Sequence, residues 1–217
     1  MRVLITAGPT YEPLDPVRFL GNHSTGKMGY ALAEAFAETG AEVALISGPT
    51  SLPDPASSRI LTTRVQTAAE MYAAAAAAAR LADVWVFAAA VADYRPAEVA
   101  TQKIKKSGER LTLELVKNVD IAFELGKIKR AEQFSVGFAL ETEDEQAHAL
   151  GKLARKNFDL IVLNSLRDAG AGFRYDTNQV TLLEADGRVT AFGLKSKTSV
   201  ALDIVGVVLD RLAARHV

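Results

Sequence analysis

Short apolar, β-branched runs alternate with stretches of helical period along most of this chain, and few folds accept that order. Val3-Leu4-Ile5-Thr6 stops at Ala7-Gly8-Pro9 and reads as a buried strand. Met28, Leu32, Ala35 and Phe36 then repeat at helical spacing, and Gly40 closes that helix. Glu42 to Ser47 is a second strand. Thr67 and Glu70 form a capping box for an alanine-rich helix running to about Leu81, and Val84 to Ala88 follows as a strand. The order recurs with a strand over Phe134 to Phe138, a helix capped by Thr142 and Glu145 that runs to about Lys156, and a strand over Leu160 to Leu163. Val200, Ile204, Val207 and Val208 mark a closing amphipathic helix. Strands of this kind need cover on both faces. The alternation therefore predicts an α/β, doubly wound, Rossmann-like parallel sheet with ligands at the carboxyl ends of its strands. Those ends carry TAGPT, AAAVAD and ALET.

Two segments depart from the alternation within one domain over residues 1–217. Residues 98–117 include KIKKSGERLTLELVK, a basic stretch with Leu111, Leu113 and Leu115 in period two, which predicts a hairpin or an extended flap. QVTLLEADGRVTAF places Asp186-Gly187 between two alternating runs and predicts a C-terminal β-hairpin over about 177–193. A formal charge of -1 argues against a general nucleic-acid or membrane-surface binder. With no cysteine, the chain has no thiol nucleophile, thiolate metal site or disulfide. No stretch reaches the roughly 18 apolar residues of a membrane span, and MRVLITAGPT is too briefly apolar for a signal peptide. The expectation is a soluble, cytoplasmic protein.

GNHSTGKMG, Gly21 to Gly29, fits a phosphate loop except at its end, where Met28 replaces the hydroxyl that would meet magnesium. It also stands too far beyond Thr6 for that strand to aim its glycines. The long connection is better read as a functional loop. It holds Glu12, Asp15, Arg18, Asn22, His23 and Lys27. Arg18 offers a planar fork for a carboxylate or phosphate, and Asn22 both donates and accepts. A dinucleotide fingerprint is missing after the first strand, and Ser47-Gly48 supplies no acid for a ribose, so nicotinamide chemistry fits poorly. The small residues before Asp93 would let a ligand approach the backbone, or simply pack a corner. Lys103, Lys105 and Lys106 read either as a solvated charge run or as a triphosphate clamp; Lys152 and Lys156 share one helix face.

Taken together, TAGPTYEPLDPVRFLGNHSTGKMGYALAEAF, AAAVADYRP with KIKK, KNVD, VGFALET and KLARKNFDLIVLN resemble the phosphopantothenoylcysteine synthetases, or phosphopantothenate–cysteine ligases, from about Val3 to Lys197. The resemblance implies a ligase of coenzyme A biosynthesis that joins 4′-phosphopantothenate to L-cysteine. An acyl-cytidylate forms from CTP with release of pyrophosphate, and cysteine's amine then displaces CMP. It implies Mg²⁺ with the nucleotide and a homodimer, and leaves the metal ligands unassigned. Catalytic roles carry over to Asn22, Arg18 and Lys103, with Arg18, Asn22, Ala89 and Ala90 at the intermediate. Nucleotide-binding positions carry over to Gly8, Asp93, Lys103, Val119, Asp120, Ile121, Ala122, Phe138, Lys152 and Lys156. Val119 stands where the family commonly has proline, and Pro9 replaces a frequent glycine. The alternatives are a nucleotide-binding module of the same fold without turnover and, more remotely, an NAD(P)-dependent oxidoreductase.

Overall fold

The computed structural model describes residues 1–105, 108–141, 143–165 and 175–215. Its frame is an eight-stranded sheet. Six strands run parallel: β1 (Arg2–Ala7), β4 (Glu42–Ser47), β5 (Ile60–Arg64), β6 (Val84–Phe87), β9 (Phe134–Glu141) and β10 (Leu160–Ser165). In space they lie in the order β5-β4-β1-β6-β9-β10. The hairpin β11 (Thr177–Glu184) and β12 (Val189–Ser196) extends the β10 edge in antiparallel fashion.

Both faces of this sheet are covered because successive strand residues point to opposite sides and each strand carries apolar residues at both parities. Val3, Ile5, Val84 and Val86 pack against α1 (Lys27–Glu38) and α5 (Lys197–Arg215), which contribute Leu32, Phe36 and Ile204. Leu4, Trp85 and Ile161 face the other way, toward Met71 of α2 (Ala68–Ala79), Leu125 of α3 (Ile121–Gly126) and Leu153 of α4 (Glu145–Arg155). The chain leaves β1 toward β4 on one side and reaches β6 on the other. The strand order therefore reverses between β1 and β6, and such a reversal opens a crevice at the strands' carboxyl ends. Among the described residues, no helix is long and apolar enough to cross a membrane.

The elements differ from expectation in several places. The loop after β1 contains a two-stranded hairpin, β2 (Tyr11–Pro13) with β3 (Phe19–Gly21), its Tyr11 and Phe19 rings stacked with centroids 3.8 Å apart. At the base of the flap, antiparallel pairing among the described residues joins only β7 (Tyr94–Pro96) to β8 (Leu115–Lys117), while Leu111 and Leu113 are exposed. Their alternation has no partner strand among the described residues to make it a ladder. Thr142 lies outside the described residues, as do Lys106 and residues 166–174. The helix that follows starts at Glu145, with Asp144 at its N-cap.

Candidate active-site cleft

A cleft of about 400 Å³ opens at the carboxyl ends of the central strands. Its floor comes from Thr6, from Phe87 and the small residues that follow it, and from Phe138, Ala139 and Leu140 of β9. The corner after β6 is fixed by backbone bonds to the segment after β1. Ala90 N–H donates to Gly8 O at 2.8 Å, Thr10 N–H donates to Ala90 O at 3.3 Å, and Ala92 N–H donates to Thr10 Oγ1 at 2.9 Å. Gly8 adopts φ 75°, and a Cβ there would lie 3.2 Å from Gly48 O. Gly29 is needed for approach: a Cβ on it would stand 2.5 Å from Ala7 Cβ, so only glycine lets α1 rest on the end of β1. The helix thereby presents its first turn, Lys27 to Gly29, to the cleft.

Four lysines, Lys27, Lys152, Lys156 and Lys197, line this space against two aspartates, Asp93 and Asp120. That balance and the amino end of α1 favour an anionic ligand. Lys156 Nζ donates to Asp120 Oδ1 at 2.9 Å, and the same carboxylate caps α3 by accepting from Phe123 N–H at 3.1 Å. Nothing among the described residues donates to the Asp93 side chain. Lys27 pairs with Asp176 at 2.5 Å, and Lys197 donates to Tyr175 O at 2.6 Å. Burial, with the charge of Lys27 nearby, pushes the Lys197 ammonium below the usual lysine range, while Asp176 pulls the other way. No cluster of three or more His, Asp or Glu suited to a metal occurs among the described residues.

The sequence-selected residues divide between two places. Ala89, Ala90, Asp93, Val119, Asp120, Ile121, Ala122, Phe138, Lys152 and Lys156 all line the cleft. Gly8 is buried behind it. Asn22 stands at its rim, where Nδ2 donates to Ala90 O at 3.0 Å and Val91 O at 3.3 Å. Because both neighbours only accept, Oδ1 is the group that Asn22 leaves for a ligand. Arg18 and the exposed Lys103 are not among the lining residues. Arg18 is instead bound to Asp15 and to the flap backbone at Ile104.

The DNA/pantothenate metabolism flavoprotein C-terminal domain family matches residues 1–212. The chain belongs to that family. A solved structure of the C-terminal domain of the coenzyme A biosynthesis bifunctional protein CoaBC shares 40% identity, with a TM-score of 0.84 over 98% of this chain and 96% of that one. Bacillus subtilis CoaBC is 49% identical over 203 residues, which are 94% of this chain and 50% of that protein. Vibrio cholerae CoaBC is 45% identical over 213 residues, 97% of this chain and 53% of that protein. A prokaryotic cysteine/cysteine sulfinic acid decarboxylase is 50% identical over 208 residues, 96% of this chain and 58% of that protein. The chain thus spans about half the length of the curated relatives it matches.

Within this flavoprotein C-terminal domain the cleft also holds residues that motif reading passed over. Asn118, Asn164, Asn178 and Lys197 line it. Asn178 donates to Asn164 Oδ1 at 2.9 Å, and Asn118 donates to Ala92 O at 2.9 Å. Asn164 closes an apolar strand run at its carboxyl end, and the strand-end rule alone would have found it. Lys197 gave no such signal, because the sheet's added hairpin brings it from far along the chain.

Proposed function

We propose that this domain is a phosphopantothenate–cysteine ligase, which activates 4′-phosphopantothenate with CTP and passes the acyl group to L-cysteine. The supporting observation is the lysine-lined cleft of about 400 Å³ at the strand reversal, with Ala89 and Ala90 leaving room at its floor. In the first step a carboxylate oxygen of phosphopantothenate attacks the α-phosphorus, the bond to the bridging oxygen breaks, and pyrophosphate leaves. In the second, cysteine's nitrogen bonds to the acyl carbon, CMP departs and the amine loses a proton.

Each step assigns work to particular groups. The attacking anion must approach a triphosphate of like charge, and the cleft lysines offset that repulsion and the charge on the leaving pyrophosphate. A bound Mg²⁺ would supply further positive charge. Magnesium usually takes one or two carboxylates besides phosphate oxygens, and Asp93, which lines the cleft with no donor among the described residues, suits that part. Asn22 Oδ1 and the backbone of Ala89 and Ala90 hold the acyl-cytidylate, whose exposure to water would waste it. Arg18 and Lys103 complete the first step. Since neither lines its own cleft, the reading includes a homodimer in which each chain lends these cations to its partner. Charged, water-soluble substrates give the reaction a cytoplasmic setting.

Incubating the protein with 4′-phosphopantothenate and CTP, without cysteine, tests the reading. Pyrophosphate release and a cytidylate adduct detected by mass are the expected results, with slower release from ATP. Protein that binds CTP yet forms neither product would overturn the ligase in favour of a binding module.

A further inference from the structure

Asp15 stands in the polar loop, and the steps above do not use it. It is 3% exposed and surrounded by donors. Its Oδ1 accepts from Val17 N–H and Arg18 N–H, both at 2.9 Å. Its Oδ2 accepts from Arg18 Nε at 2.9 Å, Arg18 Nη2 at 2.5 Å and Ile104 N–H at 3.1 Å. Arg18 Nη2 donates in turn to Ile104 O at 2.8 Å. One ion pair therefore holds both backbone groups of Ile104, the residue directly after Lys103. Before Lys103, Ala100 N–H donates to Leu14 O at 3.0 Å, so the lysine sits between two ties to the same turn. The Arg18 guanidinium holds the Asp15 carboxyl well below the usual carboxylate range, against its burial and with the backbone donors helping.

We propose that Asp15 is a positioning residue for both cations of the first step. Through its ion pair it orients the Arg18 fork, and through Ile104 it fixes the backbone from which Lys103 reaches. It touches no substrate itself. A lysine on a free flap would sample many placements, and misplacing a charge by about 1 Å can cost on the order of 10²-fold in rate. A buried carboxylate is suited to the task because it accepts from the loop, the arginine and the flap at once. Asparagine would turn an amide donor toward some of these donors.

The inference rests on the ligase reading, and two variants test it so that the two can fail separately. Asp15→Asn is expected to lower pyrophosphate release ~10–100-fold, with a smaller loss in CTP binding in the absence of phosphopantothenate, because among the proposed nucleotide-binding positions only Lys103 depends on Asp15. In the same variant, hydrogen exchange at the Ile104 amide should lose protection while the β1 amides keep theirs. Ile104→Pro removes the flap's donor and leaves the buried ion pair intact, while its ring also fixes φ at 104 and restricts the backbone of Lys103. It should also slow pyrophosphate release, at an unfolding temperature close to wild type. Unchanged exchange at Ile104 in Asp15→Asn, or wild-type pyrophosphate release in either variant, would overturn the positioning role. If Asp15→Asn does not fold, the rate of Ile104→Pro decides. If wild type releases no pyrophosphate, the ligase reading fails, and exchange at Ile104 alone decides whether Asp15 holds the flap.

Discussion

Asn22 shows how far a side chain's chemistry can be read before its surroundings are known. Its polarity and its place before GKMG were visible in the sequence; which of its two polar atoms is available was not. Two carbonyl oxygens, Ala90 O and Val91 O, take the amide nitrogen at 3.0 and 3.3 Å and leave the oxygen for a ligand. Asn22→Asp keeps the size but sets a carboxylate against both carbonyls, losing two hydrogen bonds and pushing the rim away from the corner after β6. The cleft lysines are unaffected, so amide formation should fall by ~10²-fold and exceed the loss in pyrophosphate release. Separate measurement of the two half-reactions checks this, and equal losses would remove Asn22 from the intermediate. Glu12 teaches the opposite lesson. It belonged to the same polar loop, yet it is 2% exposed and its Oε1 accepts from Ala68 N–H at 2.8 Å. No spacing rule links positions so far apart in the chain.

At the scale of elements, legibility followed burial. Strands β1, β4, β6, β9 and β10 are largely buried on both faces, so their residues are mostly apolar, with polar residues chiefly at the strand ends and Ser135 as a buried exception inside β9, and the runs were plain in the sequence. The edge strand β5 is largely exposed and reads as a polar segment. The six-residue α3 is too short to establish a period, and its start is secured by the Asp120 cap rather than by an apolar face. The hairpin β2–β3 owes its place to contacts distant in sequence. Tyr11 N–H donates to Gln66 O at 2.8 Å, and Glu12 reaches the amino end of α2, where Thr67 and Glu70 form the capping box. Two devices thus satisfy neighbouring donors at one helix end. Glu12→Ala should lower unfolding free energy by about 1–3 kcal/mol by leaving a buried N–H without its acceptor. Thr67→Ala should cost about 1 kcal/mol. Because both changes loosen the same turn, the double variant should deviate from additivity by roughly 0.5 kcal/mol or more. Urea unfolding of the three proteins measures this. A Glu12→Ala protein as stable as wild type would show that this hydrogen bond does not hold the turn.

The whole molecule separates two sets of groups that the proposed chemistry must bring together. The lysine-lined cleft lies at the strand reversal, whereas Arg18 and Lys103 are tied to each other's surroundings outside it, through Asp15 and Ile104. Around them the loop and flap expose Val17 and Phe19 at 62% and 49%, with Val99 and Leu111 at 52% and 57%. An isologous twofold pairing would meet both needs at once, since each chain would offer its cations to the other's cleft and cover the same apolar patch. The arrangement has a consequence that a single-chain site lacks. Lys103→Gln destroys the donor's contribution but leaves its own cleft sound; Asn22→Asp does the reverse. Each variant alone should be slow. When the two are mixed and allowed to exchange subunits, about half the dimers are mixed, and one of the two clefts in each has both Asn22 and a partner's Lys103, so about a quarter of wild-type activity should return. Were the flap to serve the cleft of its own chain, every site in the mixture would still lack one residue. Mixing would then restore nothing, and the reciprocal dimer would be excluded whatever the chain's mass in solution.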